Sequence, residues 1–476
     1  MSSDDVFAGS RFLGRDFMKK SQVLDSSFVV ASVEAGNTTT KCILTATDLT
    51  LGKTDIIGRC VRLTRDVRAP KDDEIIFGKT ISGTLLTKES LAELVRDTIL
   101  QALFENNLTA GDIHFVVRST GVTAETGEQS EMIILSLANG CLLAGFEPRK
   151  MTGYLSLEQM PEKMKRFSYL DKVYFDGAVA GVLPPSGLFG SVISNEMEGE
   201  LALAGLKEAG KHAGTDFRNP CIAIDMGTTL SGRIADSSAP YAKSVGNFCG
   251  YAGAAVDALI PETDLSKSAF EFFNKNQDIQ PLPPSQNMID GVIKEAMEII
   301  TVTQIPPGRK QFGPFAVNAD EAKKAGLTLF GCDVGENGSG FFELSKIGTW
   351  LYEEGASESE RVGNIVAAAD EIMSEVTVSL ISLVKESGLL PENAKIGITG
   401  RSGITGNKQA LTLNKLNRMN ILSFPEETVL FAEDGLARGA AVMARCMNSL
   451  GCPQNPIGGR RGEKCIMRER QVYQNR

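Results

Sequence analysis

Two short segments carry an acid, a glycine and a run of hydroxyl residues in the same order. The first is Glu34-Ala35-Gly36-Asn37-Thr38-Thr39-Thr40-Lys41; the second is Asp225-Met226-Gly227-Thr228-Thr229-Leu230-Ser231-Gly232-Arg233. A glycine at such a turn lets the backbone approach an anion with no Cβ in the way. Successive N–H groups, with the threonine hydroxyls, make an anion-binding nest. A carboxylate one spacer before the glycine cannot bind phosphate. It suits a hydrated Mg²⁺ that bridges phosphate oxygens. Glu34 and Asp225 are therefore the candidate catalytic and metal-holding acids, the metal being held through water. Gly36, Asn37, Thr38 and Thr39, with Gly227, Thr228 and Thr229, are the candidate phosphate binders. Lys41 reads equally as a point charge for phosphate or as a solvated cation. Two such hairpins facing each other would clamp a triphosphate. The bland alternative is a pair of ordinary hairpins in a duplicated fold, but tight hairpin turns favour Asn-Gly or Asp-Gly.

The elements that must position these turns are legible around them. Phe28 to Val33 and Cys221 to Ile224 are short apolar runs ending at a glycine turn, as buried strands do. Lys41 to Ala46 and Ser231 to Ala235 read as the returning strands. Leu91, Leu94, Val95, Ile99 and Ala102 recur at helical spacing, and Asp112 to Arg118 reads as the next strand. Strand, hairpin, helix and strand in this order predict an α/β fold. Later, Val362 through Leu383 mark one apolar stripe of a long helix. A strand at Lys395 to Thr399 and a small-residue helix at Leu436 to Met447 follow. The Pro- and Gly-rich pieces at 281–284 and 305–308 read as loops. The expected organisation is an extension at 1–27, a first lobe at 28–147, a middle segment at 148–219, a second lobe at 220–447 with an insertion around 250–345, and a basic tail at 448–476.

On these residues the chain resembles the superfamily of actin, Hsp70 and sugar kinases. The two hairpins look like its phosphate-one and phosphate-two segments, and the first is most similar to the DxGSTTTK form of dehydratase activators and cofactor-enzyme reactivases. Phe115 to Gly121 resembles the first connecting segment between lobes. Ile396 to Gly403 resembles the adenosine loop, which assigns Gly400, Arg401 and Ser402 to the nucleoside. Gly435 to Ala441 resembles the second connecting helix. At whole-chain level the hairpin ASVEAGNTTTKCILT and the loop GITGRSGITGNK are similar to the archaeal methanogenesis marker protein 14 family. The resemblance implies an actin-like (ribonuclease H-like) fold with two lobes of duplicated mixed sheets, and ATP with Mg²⁺ as cofactors. It also implies an ATP-hydrolysing switch acting on a partner protein. Methyl-coenzyme M reductase or a corrinoid methyltransferase system are the candidate clients, and a homodimer is among the assemblies it allows. Two departures matter. The first acid is Glu34 where the superfamily has aspartate, which motivates the alternative of a nucleotide-gated scaffold without turnover. No short cysteine motif stands here for the iron–sulfur cluster of the activators. A small-molecule kinase is the third reading, with Asp176 as its candidate base.

Composition bounds the rest. A chain of 476 residues suggests two or three packed units, and 42% hydrophobic with 23% charged residues is a globular balance. A net charge of −10 argues against a nucleic-acid surface, which needs a basic face, and against docking on anionic lipid. The longest apolar stretch, Met132 to Phe146, falls short of the ~20 residues that span a bilayer. The opening MSSDDVFAGS has no apolar core of a signal peptide. The expected location is the cytoplasm. Nine cysteines without any CxxC read as reduced thiols, and the two histidines, His114 and His212, as structural. Glu125 and Glu128 read as water-positioning acids or as ordinary helix-start acids. Glu196, Glu198 and Glu200 read as a solvated face, Cys452 and Cys465 as tail thiols. The run 400–409 fails as a Walker loop, because Lys408 follows asparagine and no Ser or Thr comes next.

Overall fold

Burial on both faces sets the first sheet. Along β1 (Ser27–Ala35), Val29, Ala31, Val33 and Ala35 join one core, and the intervening residues face the other side. The computed structural model describes residues 27–80, 83–120, 127–151, 155–156, 172–173, 178–180, 196–237, 244–261 and 268–447. The chain divides into two compact units, one holding each acid-glycine hairpin.

In the first unit β1 pairs antiparallel with β2 (Thr39–Asp48), and β2 antiparallel with β3 (Lys53–Leu63). On its other side β1 runs parallel to β4 (Phe115–Thr120), and β4 parallel to β5 (Ala178–Ala180). The sheet order is thus β3-β2-β1-β4-β5. Helix α1 (Lys88–Glu105) starts on a capping box in which Thr87 Oγ1 accepts from Ser90 N at 3.0 Å. Its Leu91, Val95 and Ile99 and the Ile133 and Leu137 of α2 (Gly127–Leu143) cover the Val29–Ala35 face. Helix α3 (Glu196–Ala213) also belongs to this unit.

The second unit repeats the plan. Strands β6 (Cys221–Met226), β7 (Leu230–Ala235) and β8 (Ser244–Gly250) are antiparallel neighbours. Outside β8 lie β9 (Ile300–Gln304) and β10 (Thr328–Val334), with β10 parallel to β8 and β9 antiparallel to β10. Beyond β6, β11 (Lys395–Thr399) and β12 (Val429–Phe431) run parallel to it. The order β9-β10-β8-β7-β6-β11-β12 contains the five-strand order and strand directions of the first sheet. Its helices include α4 (Gly253–Leu259), α5 (Gln286–Ile299), α6 (Phe341–Glu353), α7 (Glu358–Glu386) and α8 (Lys408–Arg418). The long α7 opens on the Ser357 side chain, which accepts from Glu360 N at 3.3 Å, and buries Ile365, Ile372, Val376 and Leu380 in the core.

The last described helix, α9 (Gly435–Met447), returns to the first unit. There it crosses α3 at backbone contact: a Cβ on Gly205 would lie 1.7 Å from Gly435 O, and one on Gly439 2.0 Å from Leu201 O. Only glycine permits that approach. Helix α3, inside the stretch 148–219, and α9 both fall in this first unit. The Gly-rich crossing ties α3 and α9 together on the first sheet. Phe115 to Thr120, overlapping the strand expected over Asp112 to Arg118, is an inner strand with every residue buried.

Candidate functional site

The first hairpin closes where β1 turns into β2. Ala35 pairs with Thr40, so the turn spans 36–39, and Gly36 N donates to Thr39 O at 3.0 Å. Its outer carbonyls are anchored from the sheet: Thr64 Oγ1 donates to Gly36 O at 2.6 Å, Thr64 N to Thr38 O at 2.9 Å, and Thr120 Oγ1 to Ala35 O at 2.9 Å. Asn37 and Thr39 are buried, and Thr38 is half-buried. Glu34 and Lys41 are direct cross-strand partners, with Lys41 Nζ 3.2 Å from Glu34 Oε1. Lys41, read from sequence as a phosphate ligand or a solvated cation, here neutralises the candidate metal acid. The same Oε1 lies 3.5 Å from where a Gly36 Cβ would stand, and Thr39 O lies 2.9 Å from that position.

The second hairpin is one residue tighter. Met226 pairs with Leu230, leaving Gly227, Thr228 and Thr229 in the turn. Asp225, 6% exposed, sits opposite Ser231 on one side and Thr399 on the other. The segment Tyr251 to Ala254 clamps the turn's carbonyls. Gly253 N donates to Gly227 O at 2.8 Å, and Ala252 N and Ala254 N to Thr228 O at 3.1 and 3.0 Å, while Thr229 bridges Tyr251. In a trans peptide the C=O and the next N–H point oppositely. The clamp therefore directs the Thr228 and Thr229 N–H groups away from α4, as an anion nest requires. Tyr251 is fixed in turn: its N donates to Cys332 O at 2.7 Å, its ring packs edge-on against Phe341, and a Cβ on Gly338 would lie 2.9 Å from its Oη. The turn carrying Gly338 hangs on the buried Asp333 carboxylate, which accepts from Val334 N, Asn337 N and Gly338 N at 2.8, 2.8 and 3.2 Å. Burial and the Asp333 charge push the Tyr251 phenol up to about 12. Sequence reasoning missed this support; the FCGYAG run, with two glycines flanking a tyrosine, was its one visible sign.

Strand β11 delivers the third piece. Gly400 follows Thr399 with φ +83°, and a Cβ there would meet the Met226 carbonyl carbon at 2.4 Å. Ser402 Oγ approaches within 2.1 Å of the Cβ position of Gly253. Gly400 and Ser402 are thus assembled with Asp225 and Gly227–Thr229 at the carboxyl ends of β6 and β11, where open α/β sheets bind ligands. Arg401 stacks over the Phe270 ring at 4.3 Å. The loop is pinned from below: Asp370 of α7 accepts from Asn407 N at 2.7 Å and pairs with Lys408, both side chains 4% exposed. Lys408 is therefore a structural cation, consistent with the failed Walker spacing. A side chain at Gly400 would strike the Met226 backbone, so its glycine is needed for packing.

Asp176 and Glu125, Cys452 and Cys465 lie outside the described residues, as do the side chains of Glu128 and Glu196. His114 Nδ1 accepts from Val29 N at 2.9 Å and its ring stacks on Phe28. His212 Nδ1 lies 3.7 Å from Asp55. Among the described residues six cysteines are free and buried, including Cys249 and Cys332, whose thiols burial and Asp333 push up to about 12. Among the described residues no cluster of three or more His, Cys, Asp or Glu could hold a metal. A single hard carboxylate in each hairpin fits Mg²⁺, which keeps its waters and leans on substrate phosphates. No helix among the described residues is long and apolar enough to cross a membrane.

Comparison with known proteins places the sequence in a family. Residues 27–474 match the family described as "Uncharacterized protein conserved in archaea (DUF2114)". The protein MJ1451 of Methanocaldococcus jannaschii is 46% identical over 453 residues, covering 94% of this chain and 91% of its own. A protein of Methanothermobacter thermautotrophicus is 44% identical over 459 residues, covering 95% and 84%. Both relatives come from methanogens. Among solved structures, component A of the (R)-2-hydroxyglutaryl-CoA dehydratase of Acidaminococcus fermentans is similar with TM-score 0.34 and 10% identity, over 87% of this chain and 95% of that one. A reductive activator for a corrinoid, iron–sulfur protein is similar with TM-score 0.35 and 12% identity, over 88% and 60%. The family match runs from the first strand almost to the last residue, and on that ground the chain belongs to this conserved archaeal family.

Proposed function

We propose that this protein is an actin-like ATPase switch that binds ATP with Mg²⁺ and acts on a partner enzyme of methanogenesis. One observation carries the reading: the same acid-spacer-glycine-hydroxyl turn stands at the same strand position in two sheets of the same five-strand order. In this reading Gly36–Thr39 and Gly227–Thr229 offer N–H and hydroxyl donors to the phosphates, and Gly400 to Ser402 border the nucleoside. Glu34 and Asp225 would hold the metal through its water shell. Mg²⁺, when bound, supplies charge neutralisation on the phosphate oxygens. Asp225 contributes a fixed, largely water-excluded carboxylate. Relatives in methanogens are in keeping with the marker protein 14 reading and with a client such as methyl-coenzyme M reductase or a corrinoid methyltransferase system.

The test is phosphate release by the full chain with Mg–ATP, alone and with each client. Asp225→Asn should lower turnover by roughly 10- to 100-fold, as loss of a metal-orienting carboxylate does, and leave the melting temperature within a few degrees. Unchanged turnover in that variant would remove Asp225 from the chemistry. A non-hydrolysing, nucleotide-gated scaffold is the second reading, favoured by the engagement of Glu34 with Lys41. Measurable ATP affinity with no phosphate release under any partner would select it.

A further inference from the structure

In the first hairpin the Glu34 carboxylate holds the cation that a phosphate would use. Its Oε1 is 3.2 Å from the Lys41 ammonium and 3.5 Å from the Cβ position of Gly36, beside the Thr39 carbonyl that closes the turn. An anionic oxygen held by the Lys41 ammonium beside the turn is the arrangement a phosphate oxygen would have there. Lys41 and Glu34 are 23% and 14% exposed, so neither is freely hydrated in this pairing. We propose that the Glu34 carboxylate is a built-in competitor of phosphate at the first hairpin, so that a polyphosphate must displace it from Lys41 in order to bind. The inference rests on the nucleotide reading above and adds a regulation to it. Displaced from Lys41, Glu34 becomes an uncompensated carboxylate beside the phosphates, and only a cation arriving with them restores balance. Metal and nucleotide therefore favour each other's uptake, and metal-free nucleotide binds more weakly. A glutamate reaches Lys41, where an aspartate ends one methylene short. The departure from the superfamily's aspartate thereby acquires a purpose.

Equilibrium binding of ATP to the full chain, in excess EDTA and separately in Mg²⁺, tests this. In EDTA, Glu34→Ala and Glu34→Gln should bind ATP about five-fold tighter than wild type, the factor expected for releasing a partly exposed ion pair. Lys41→Met should bind it more weakly. Simple repulsion between Glu34 and phosphate would also favour the Glu34 variants, but equally with or without Lys41. The double-mutant cycle separates the two: competition predicts that most of the gain from Glu34→Ala vanishes in the Lys41→Met background. Equal gains in both backgrounds, or no gain in EDTA, would overturn the competitor role while leaving Mg–ATP binding intact. No Mg–ATP binding by wild type would overturn the nucleotide reading itself. Melting curves of each variant, expected within a few degrees of wild type, show that binding changes are not unfolding.

Discussion

His212 shows how a side chain outside the candidate site sets a property of its unit. It ends α3 beside Asp55, and its neighbours include Arg438 of α9 and the buried Glu208. Burial first, and then the Arg438 charge, holds its imidazole below the ordinary value of about 6.5, against the opposing pull of Asp55 and Glu208. In the unfolded chain the ring titrates normally, so on acidification the unfolded state takes up the proton first. Stability thus rises with pH across this window and is lost as pH falls below about 6.5 toward the folded value. Urea midpoints measured between pH 7.5 and 5.5 should fall more steeply for wild type than for His212→Gln, which cannot titrate. Parallel slopes would mean that the ring takes up its proton equally in the folded and the unfolded chain. The buried Lys408–Asp370 pair belongs to the same scale but to a different task. It anchors the loop after β11, and breaking it would leave a charge stranded in the core.

At the level of elements, the α3–α9 crossing is the least forgiving feature. Gly205 and Gly439 bring the helices to backbone contact, and Arg438 reaches across to donate to Thr54 O of β3 at 2.7 Å. Gly439→Val has no room beside Leu201 O. It should destabilise the first unit by about 1–3 kcal/mol or more, as overpacking does, with the second unit's thermal transition unchanged. A uniform loss across both transitions would show that the crossing supports more than its own unit. This crossing also marks the limit of what the sequence discloses. The strands around both hairpins, the long α7 and β11 are written in local patterns: apolar runs that stop at glycine, and a stripe at helical spacing. The small residues of α9 announce close packing but not its partner, because the partner glycine, Gly205, lies far away in the chain. The third strand of each sheet was missed for a similar reason. β3 carries Lys53, Asp55, Arg59 and Arg62 among its apolar residues, and β8 reads SVGNFCG, so neither shows a run that stands apart from loop sequence.

For the whole molecule, ligand binding becomes a stability measurement. A nucleotide that binds only the folded state adds RT ln(1 + [L]/Kd), about 2.7 kcal/mol at a hundred times Kd. In units of this size each kcal/mol raises a melting temperature by roughly 2–4 °C, so saturating Mg–ATP should lift the affected transition by several degrees. The hairpins were legible because their residue pattern is local. That both serve one nucleotide is a long-range claim, and the melting shift probes it without assuming any geometry. If each hairpin contributes, Lys41→Met in the first unit and Asp225→Asn in the second should each diminish the shift, and the double variant should nearly abolish it. If only the second hairpin and the Gly400–Ser402 loop hold the ligand, the Lys41 variant will melt with the full wild-type shift. The duplicated hairpin would then be a structural repeat with one working copy.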